Sequence, residues 1–248
     1  MKELVRTLIV SLVLFNFGCQ KDDQNEIRNY AEDARILQDF VTIDKQDLAY
    51  SLNLNAKSDF LRFIPTSSIN QLEKVSNENL NRFKNELNAL NSFIKNEIRN
   101  GASYVEMETN SGSYFKELNN DGIRISKNNV ASLAKKPQPL AEIGSVFFYR
   151  TGEISSPEYF SGKDHIDTQI NINGPTSSIS ATLLCRTGTS PQGSTSTPSL
   201  LVISSMSGSY AGNFNWINTV SGANVTWTFE GKLNTSDFSM LGYAYLRD

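Results

Sequence analysis

The sequence predicts an α+β fold: an N-terminal helical unit with a small β-meander, followed by an all-β, sandwich-like C-terminal domain. Three observations predict it. Apolar residues recur at helical spacing before residue 100, alternate in twos between Val105 and Ile125, and from Ser145 onward form short alternating runs divided by Gly, Pro, Ser and Asn clusters. With 248 residues, 39% of them hydrophobic and 10% aromatic, the chain can bury one or two real cores and does not read as disordered.

The chain opens on a leader. Lys2 and Arg6 supply a basic start, Leu8 to Phe15 form an apolar run, and Gly18 precedes Cys19. That run is too short to cross a hydrocarbon core of about 30 Å, and the small residue suits a signal peptidase. The segment resembles the lipobox of bacterial lipoproteins, which implies that residues 1–18 are removed and that Cys19 becomes an acylated first residue. Asn16 and Phe17 stand where aliphatic and small residues are usual, which leaves a plain cleaved secretory peptide as the alternative. Residues 19–25 then form a tether. Gln20-Lys21-Asp22-Asp23 resembles the acidic tag of lipoproteins exported to the outer face of the outer membrane, and it is equally what a solvated tether carries.

Residues 26–127 read as one α+β unit. Ile27, Tyr30, Ala31, Ala34, Leu37 and Val41 predict an amphipathic helix over 26–41, and Leu48 to Leu54 alternate as a strand. A helical turn at 58–64 stops at Pro65, and Ser68 and Gln71 have capping-box spacing for a short helix through Val75. From Glu78 to Arg99, Leu80, Phe83, Leu87, Leu90 and Ile94 form one stripe, Lys95 and Arg99 suit the negative end of the dipole, and Gly101 offers a C-terminal cap. Two heptads are too few for a coiled-coil seam, so this stripe is expected to pack on the first helix and the 48–54 strand. Val105 to Thr109, Tyr114 to Leu118, and Ile123 with Ile125 then read as a meander turning at Asn110-Ser111-Gly112 and Asn120-Asp121-Gly122.

Residues 128–143, with Lys135-Lys136-Pro137-Gln138-Pro139, read as a linker. Residues 144–248 hold about seven expected strands (146–150, 164–172, 178–186, 199–204, 213–218, 224–230 and 238–246), the pattern of a sandwich. Val220-Ser221-Gly222-Ala223 reads as a hairpin turn, after which Val225, Trp227 and Phe229 face inward.

The formal charge of −3 becomes −4 once Lys2, Glu3 and Arg6 leave with the leader, and no basic cluster marks a nucleic-acid surface. If Cys19 carries lipid, Cys185 has no disulfide partner, and its place on an alternating strand makes it a buried small hydrophobe. His165 shares a strand face with Asp167, Gln169, Asn171 and Asn173, whose alternation with Ile166, Ile170 and Ile172 reads as a solvated row over a core row. A weaker candidate is a Ca²⁺ site from Asp164 and Asp167 with Glu153 and Glu158, without EF-hand spacing. One histidine and one thiol cannot build a regular zinc site. Ser132-Leu133-Ala134-Lys135 matches the Ser-x-x-Lys of penicillin-recognising enzymes, but Pro137 cuts short the helix that motif needs and its Ser-Asp-Asn partner is missing. No cofactor is expected.

Tyr210 and Trp216, flanking Ala211-Gly212-Asn213, are the candidate aromatic ligand-binding pair, read as loop residues with little apolar support. Together these features favour a lipid-anchored envelope protein whose sandwich serves noncatalytic recognition or adhesion, with the membrane and a glycan or envelope protein as partners. The alternatives are an assembly subunit of an outer-membrane complex and a glycosidase using two of Glu153, Glu158, Asp164 and Asp167.

Overall fold

A computed structural model of the chain describes residues 29–55, 64–119, 122–128, 142–149, 152–155, 160–161, 165–173, 178–188, 195–219, 226–233 and 241–247. Helices and sheets are both present and strands predominate.

Helix α1 (Tyr30–Gln38) starts at Asn29, whose side chain accepts from the Ala31 amide at 3.2 Å, and carries Glu32 and Asp33 in its first turn. It is shorter than expected. Val41, read from its spacing as the last helical position, instead opens β1 (Val41–Asp44), which pairs antiparallel with β2 (Ala49–Leu52). The Asp44 carboxylate shapes the intervening turn by accepting from the amides of Gln46 at 2.9 Å and Asp47 at 3.0 Å.

The expected turn at 58–64 falls almost wholly outside the described residues. Helix α2 (Thr66–Leu72) has Pro65 rather than Ser68 at its cap, so the capping box does not form. Ser68 lies inside the helix and its hydroxyl donates to Asp39 Oδ2 at 2.5 Å.

Helix α3 (Asn77–Arg99) is the longest described helix, roughly 34 Å at 1.5 Å per residue. Ser76 Oγ caps its first turn by accepting from the Asn79 amide at 3.1 Å. Asp33 of α1 accepts from the Ser76 amide at 3.1 Å and from Asn79 Nδ2 at 2.8 Å, which ties the two helix starts together. At the other end the Gly101 amide reaches the Ile98 carbonyl and the Ala102 amide the Glu97 carbonyl, a Schellman closure that puts Gly101 at φ +96°. The expected cap is in place. Phe83, Leu87, Leu90 and Ile94 are buried against Ala34 and Leu37 of α1 and Leu48 and Tyr50 at β2, as the stripe predicts.

That cluster also takes in Val105, Met107, Val202 and Met206 from a sheet beneath the helices. The remaining strands are β3 (Tyr104–Thr109), β4 (Gly112–Glu117), β5 (Ile123–Asn128), β6 (Glu142–Tyr149), β7 (Gly152–Ser155), β8 (Phe160–Ser161), β9 (His165–Asn173), β10 (Ile179–Gly188), β11 (Thr195–Ser205), β12 (Ser209–Asn218), β13 (Thr226–Leu233) and β14 (Leu241–Arg247). One sheet runs β4-β3-β11-β10-β13-β7, with β8 also on β13; the other runs β5-β12-β9-β14-β6. Strands β3 and β11 are parallel, from Tyr104 opposite Leu201 to Glu108 opposite Ser205, and the other described pairings are antiparallel.

This pairing corrects the expected meander. The β3–β4 hairpin forms, but β5 leaves it and joins β12 in the opposite sheet, where Ile123 and Ile125 enter the core between the sheets. Segments on both sides of residues 128–143 therefore contribute to both sheets. The hairpin expected at 220–223 lies outside the described residues, and its flanking strands β12 and β13 belong to different sheets.

The seven-stranded sheet is buried on both faces at β3 and β11. Val105, Met107 and Val202 face the helices, while Tyr104, Leu201 and Ile203 join Ile166, Ile170, Leu183, Cys185, Phe214, Trp216, Trp227 and Phe229 between the sheets. Trp227 and Phe229 face inward as expected, and Trp216 meets Phe229 edge-on at 5.3 Å. On β12, Gly212 leaves room for the Tyr210 ring: a Cβ there would lie 2.8 Å from its Cζ and 2.9 Å from the Phe214 ring. Neither ring is a flexible tail that can swing aside. Gly212→Ala is expected to cost about 1–3 kcal/mol by overpacking, measured as a lower urea midpoint at unchanged slope.

Candidate functional site

The structure places the sequence's aromatic pair inside the protein. Tyr210 is 2% exposed and Trp216 is 0% exposed, because β12 begins at Ser209 and both residues lie on its inward row. The Trp216 Nε1 donates to Thr168 Oγ1 at 2.8 Å, a buried partner that satisfies the indole without a ligand. Neither residue offers a stacking platform. The stretch Tyr210 to Gly212, left out of the expected 213–218 strand, belongs to that strand, and its period of two is concealed because Gly212 occupies an inward position where an apolar side chain would have revealed it.

The calcium candidates do not converge among the described residues. Asp167 is on β9 and accepts from Asn215 Nδ2 at 2.8 Å, whereas Glu153 belongs to β7 in the other sheet; Asp164 and Glu158 lie outside the described residues. No group of three or more His, Cys, Asp or Glu among the described residues is placed to hold a metal. Cys185 is fully buried on β10, and burial raises its thiol pKa well above the usual value, so it fills space rather than reacts. Cys19, Ser132 and Lys135 lie outside the described residues.

The structure does assemble a polar cluster that the sequence reading passed over. On β3, Tyr104, Glu106 and Glu108 alternate with Val105, Met107 and Thr109, and only the second row suggested a core. Both rows are interior. Glu106 is 0% exposed, between the sheets, and one of its carboxylate oxygens accepts from Lys127 Nζ, reaching across from β5. The same ammonium donates to Ser113 Oγ at 3.2 Å, near the rim. The second Glu106 oxygen and the buried Tyr210 hydroxyl have no hydrogen-bond partner. Glu108 is tied instead to Ser205 and Ser207, whose hydroxyls each lie 3.4 Å from its Oε1. Tyr50 anchors the backbone from the helix side, its hydroxyl donating to the Ser204 carbonyl at 2.8 Å.

Burial outweighs Lys127 in setting the proton affinity of Glu106. It pushes the carboxyl pKa up to about 6, the lysine pulls it down, and Glu108 adds a smaller upward push. Burial, Glu106 and Glu108 likewise raise the Tyr210 phenol well above its usual range. The arrangement can bridge two sheets and hold a proton near neutrality. It lacks an activated nucleophile or an open approach for substrate among the described residues, and its alternating signal, two acids two residues apart on an apolar strand, was the cue to it.

The second notable surface is the outward face of the five-stranded sheet. Asp167, Gln169 and Asn171 of β9 pair in register with Asn215, Asn213 and Ala211 of β12, and Asn213 is also opposite Asn128 of β5. The sequence predicts this solvated row on β9, and Ile166, Ile170 and Ile172 are buried behind it as expected.

Comparison with family models, curated proteins and solved structures returns no match to this chain, so its function is read from these residues alone.

Because the folded Glu106 binds its proton more tightly than a free glutamate, its favourable contribution is complete below pH 4.5 and is lost as pH rises through about 6. That loss amounts to about 2 kcal/mol. Urea unfolding of wild type and Glu106→Gln at several pH values is expected to show the wild type losing about this much stability, relative to the variant, between pH 4.5 and 7.5.

Proposed function

We propose that this is a lipid-anchored cell-envelope protein at the outer membrane, whose β-sandwich body serves noncatalytic recognition. The observation that carries the reading is the short basic and apolar leader that ends in Gly18 before Cys19 and is followed by a charged tether. Acyl chains on Cys19 would bind a bilayer at about 0.8 kcal/mol per buried CH₂, and more than one chain makes the attachment lasting. No helix among the described residues is long and apolar enough to cross a membrane.

Recognition is favoured over chemistry because the reactive groups of the described interior are occupied by packing. Cys185 is sealed in the core, and Glu106 spans the sheets to Lys127. Recognition is favoured over subunit assembly because the α3 stripe is covered by the chain's own helix, hairpin and sheet. Ile69 is the one large exposed hydrophobic residue among those described, which leaves the helical layer without an apolar patch for a partner subunit.

Labelled palmitate and mass spectrometry of the mature amino terminus test the anchor. The expected outcome is an acylated Cys19 start and partition into the detergent phase, with Cys19→Ala losing the label and moving to the aqueous fraction. Equal membrane association of Cys19→Ala contradicts the reading.

A further inference from the structure

We propose that the last residues of β5, from Ser126 to Asn128, form a pH-set latch at the rim between the two sheets, closed over Glu106 while that carboxyl is protonated and lifted to admit water once it is ionised.

The grip on β5 changes along its length. Among the described residues it is an edge strand, paired with β12 alone. Its first part is held by packing: Ile123 and Ile125 are buried between the sheets, and the Ile123 carbonyl accepts from the Tyr104 hydroxyl at 3.1 Å. Ser126 is exposed, and Lys127, the next residue on the inward row, keeps 25% of its side chain exposed while its ammonium is shared between Glu106 and Ser113 Oγ. The strand hinges where isoleucine gives way to lysine, because lifting the end beyond Ile125 takes no apolar side chain of its own into water.

Glu106 supplies the reason to lift. Its side chain is wholly buried, with one oxygen bonded to Lys127 and the other, like the Tyr210 hydroxyl, without a hydrogen-bond partner. Protonated, the carboxyl is a neutral group. Ionised, it is a charge satisfied on one oxygen only, and water admitted past Lys127 completes its shell. Register sets Phe115 of β4 and Ile203 of β11 on either side of Glu106. The titratable and charged groups on this face of the surrounding strands are Tyr104 and Glu108 of β3, Lys127 of β5, Tyr210 of β12 and the exposed Glu117 of β4. Burial is the strongest influence on Glu106 and favours its neutral form, Lys127 opposes it, and Glu108 reinforces it. In the lifted state water reaches the carboxyl and burial no longer acts. The closed state therefore binds the proton more tightly, and rising pH favours lifting.

The test is hydrogen exchange of the full mature protein in nonionic detergent, resolved by fragment mass spectrometry and corrected for the intrinsic pH dependence of amide exchange. The amides at the end of β5 are expected to be roughly a hundredfold less protected than those of β10, inside the other sheet, and to lose about tenfold more protection between about pH 5 and pH 7.5. Glu106→Gln is expected to remove that loss. Lys127→Met, whose closed state binds the Glu106 proton more tightly still, is expected to enlarge the loss and carry it to higher pH. Equal protection of β5 and β10 overturns the latch, since the strand then opens only with the whole molecule. A loss that persists in Glu106→Gln, or that is no larger in Lys127→Met, overturns these two residues as its control.

Discussion

The parallel pairing of Tyr104–Thr109 with the end of the strand Thr195–Ser205 is the constraint on which the rest of the structure depends. It joins the β3–β4 hairpin, from the first half of the chain, to strands β11, β10, β13, β7 and β8, which come from the second half. Parallel pairs are found where both faces are covered, and that condition holds here. One face of β3 and β11 meets Phe83, Leu87, Leu90 and Ile94 of α3 through Val105, Met107 and Val202, and the other meets the second sheet through Tyr104, Leu201 and Ile203. Two hydrophobic cores thus lie back to back on the opposite faces of the same two strands.

Burial on both faces has an electrostatic consequence. A β3 side chain that would be solvated in a one-sided sheet is enclosed, so Glu106 needs a counter-ion, and Lys127 arrives from β5 in the opposite sheet. Such a pair adds little net stability over an apolar substitute, since desolvation offsets most of the attraction, but removing one partner strands the other. Its better-supported role is register. The Tyr104 hydroxyl donates to the Ile123 carbonyl at 3.1 Å, and the lysine four residues on reaches Glu106, so β5 is fixed across β3 at two points.

The sequence made legible whatever depended on local periodicity. The α3 stripe, its Gly101 closure, the inward Trp227 and Phe229, and the isoleucine row of β9 all follow from spacings of three and four or of two. Pairing partners were not legible, because the parallel bond from β3 to β11 joins residues nearly one hundred positions apart and no turn residue announces it. The meander failed for the same reason: turn chemistry at 120–122 specifies a reversal of the chain, not the sheet in which the next strand lands. Tyr210 and Trp216 were misplaced because Gly212 and Asn213 interrupt the apolar count on a strand where one is a packing gap and the other faces outward. At the polar cluster, the two acids of β3 resembled a solvated row until the sheet above them was in place.

The central claim is that the helical layer and the two sheets are one cooperative unit joined through β3 and β11. The most direct measurement is equilibrium urea unfolding followed by far-UV ellipticity, which reports α3, and by tryptophan fluorescence, which reports Trp216 and Trp227, the only two tryptophans and both in the core between the sheets. The account requires the two transitions to coincide in midpoint and slope. Loss of helical signal at a lower urea concentration, with the fluorescence still native, would contradict it.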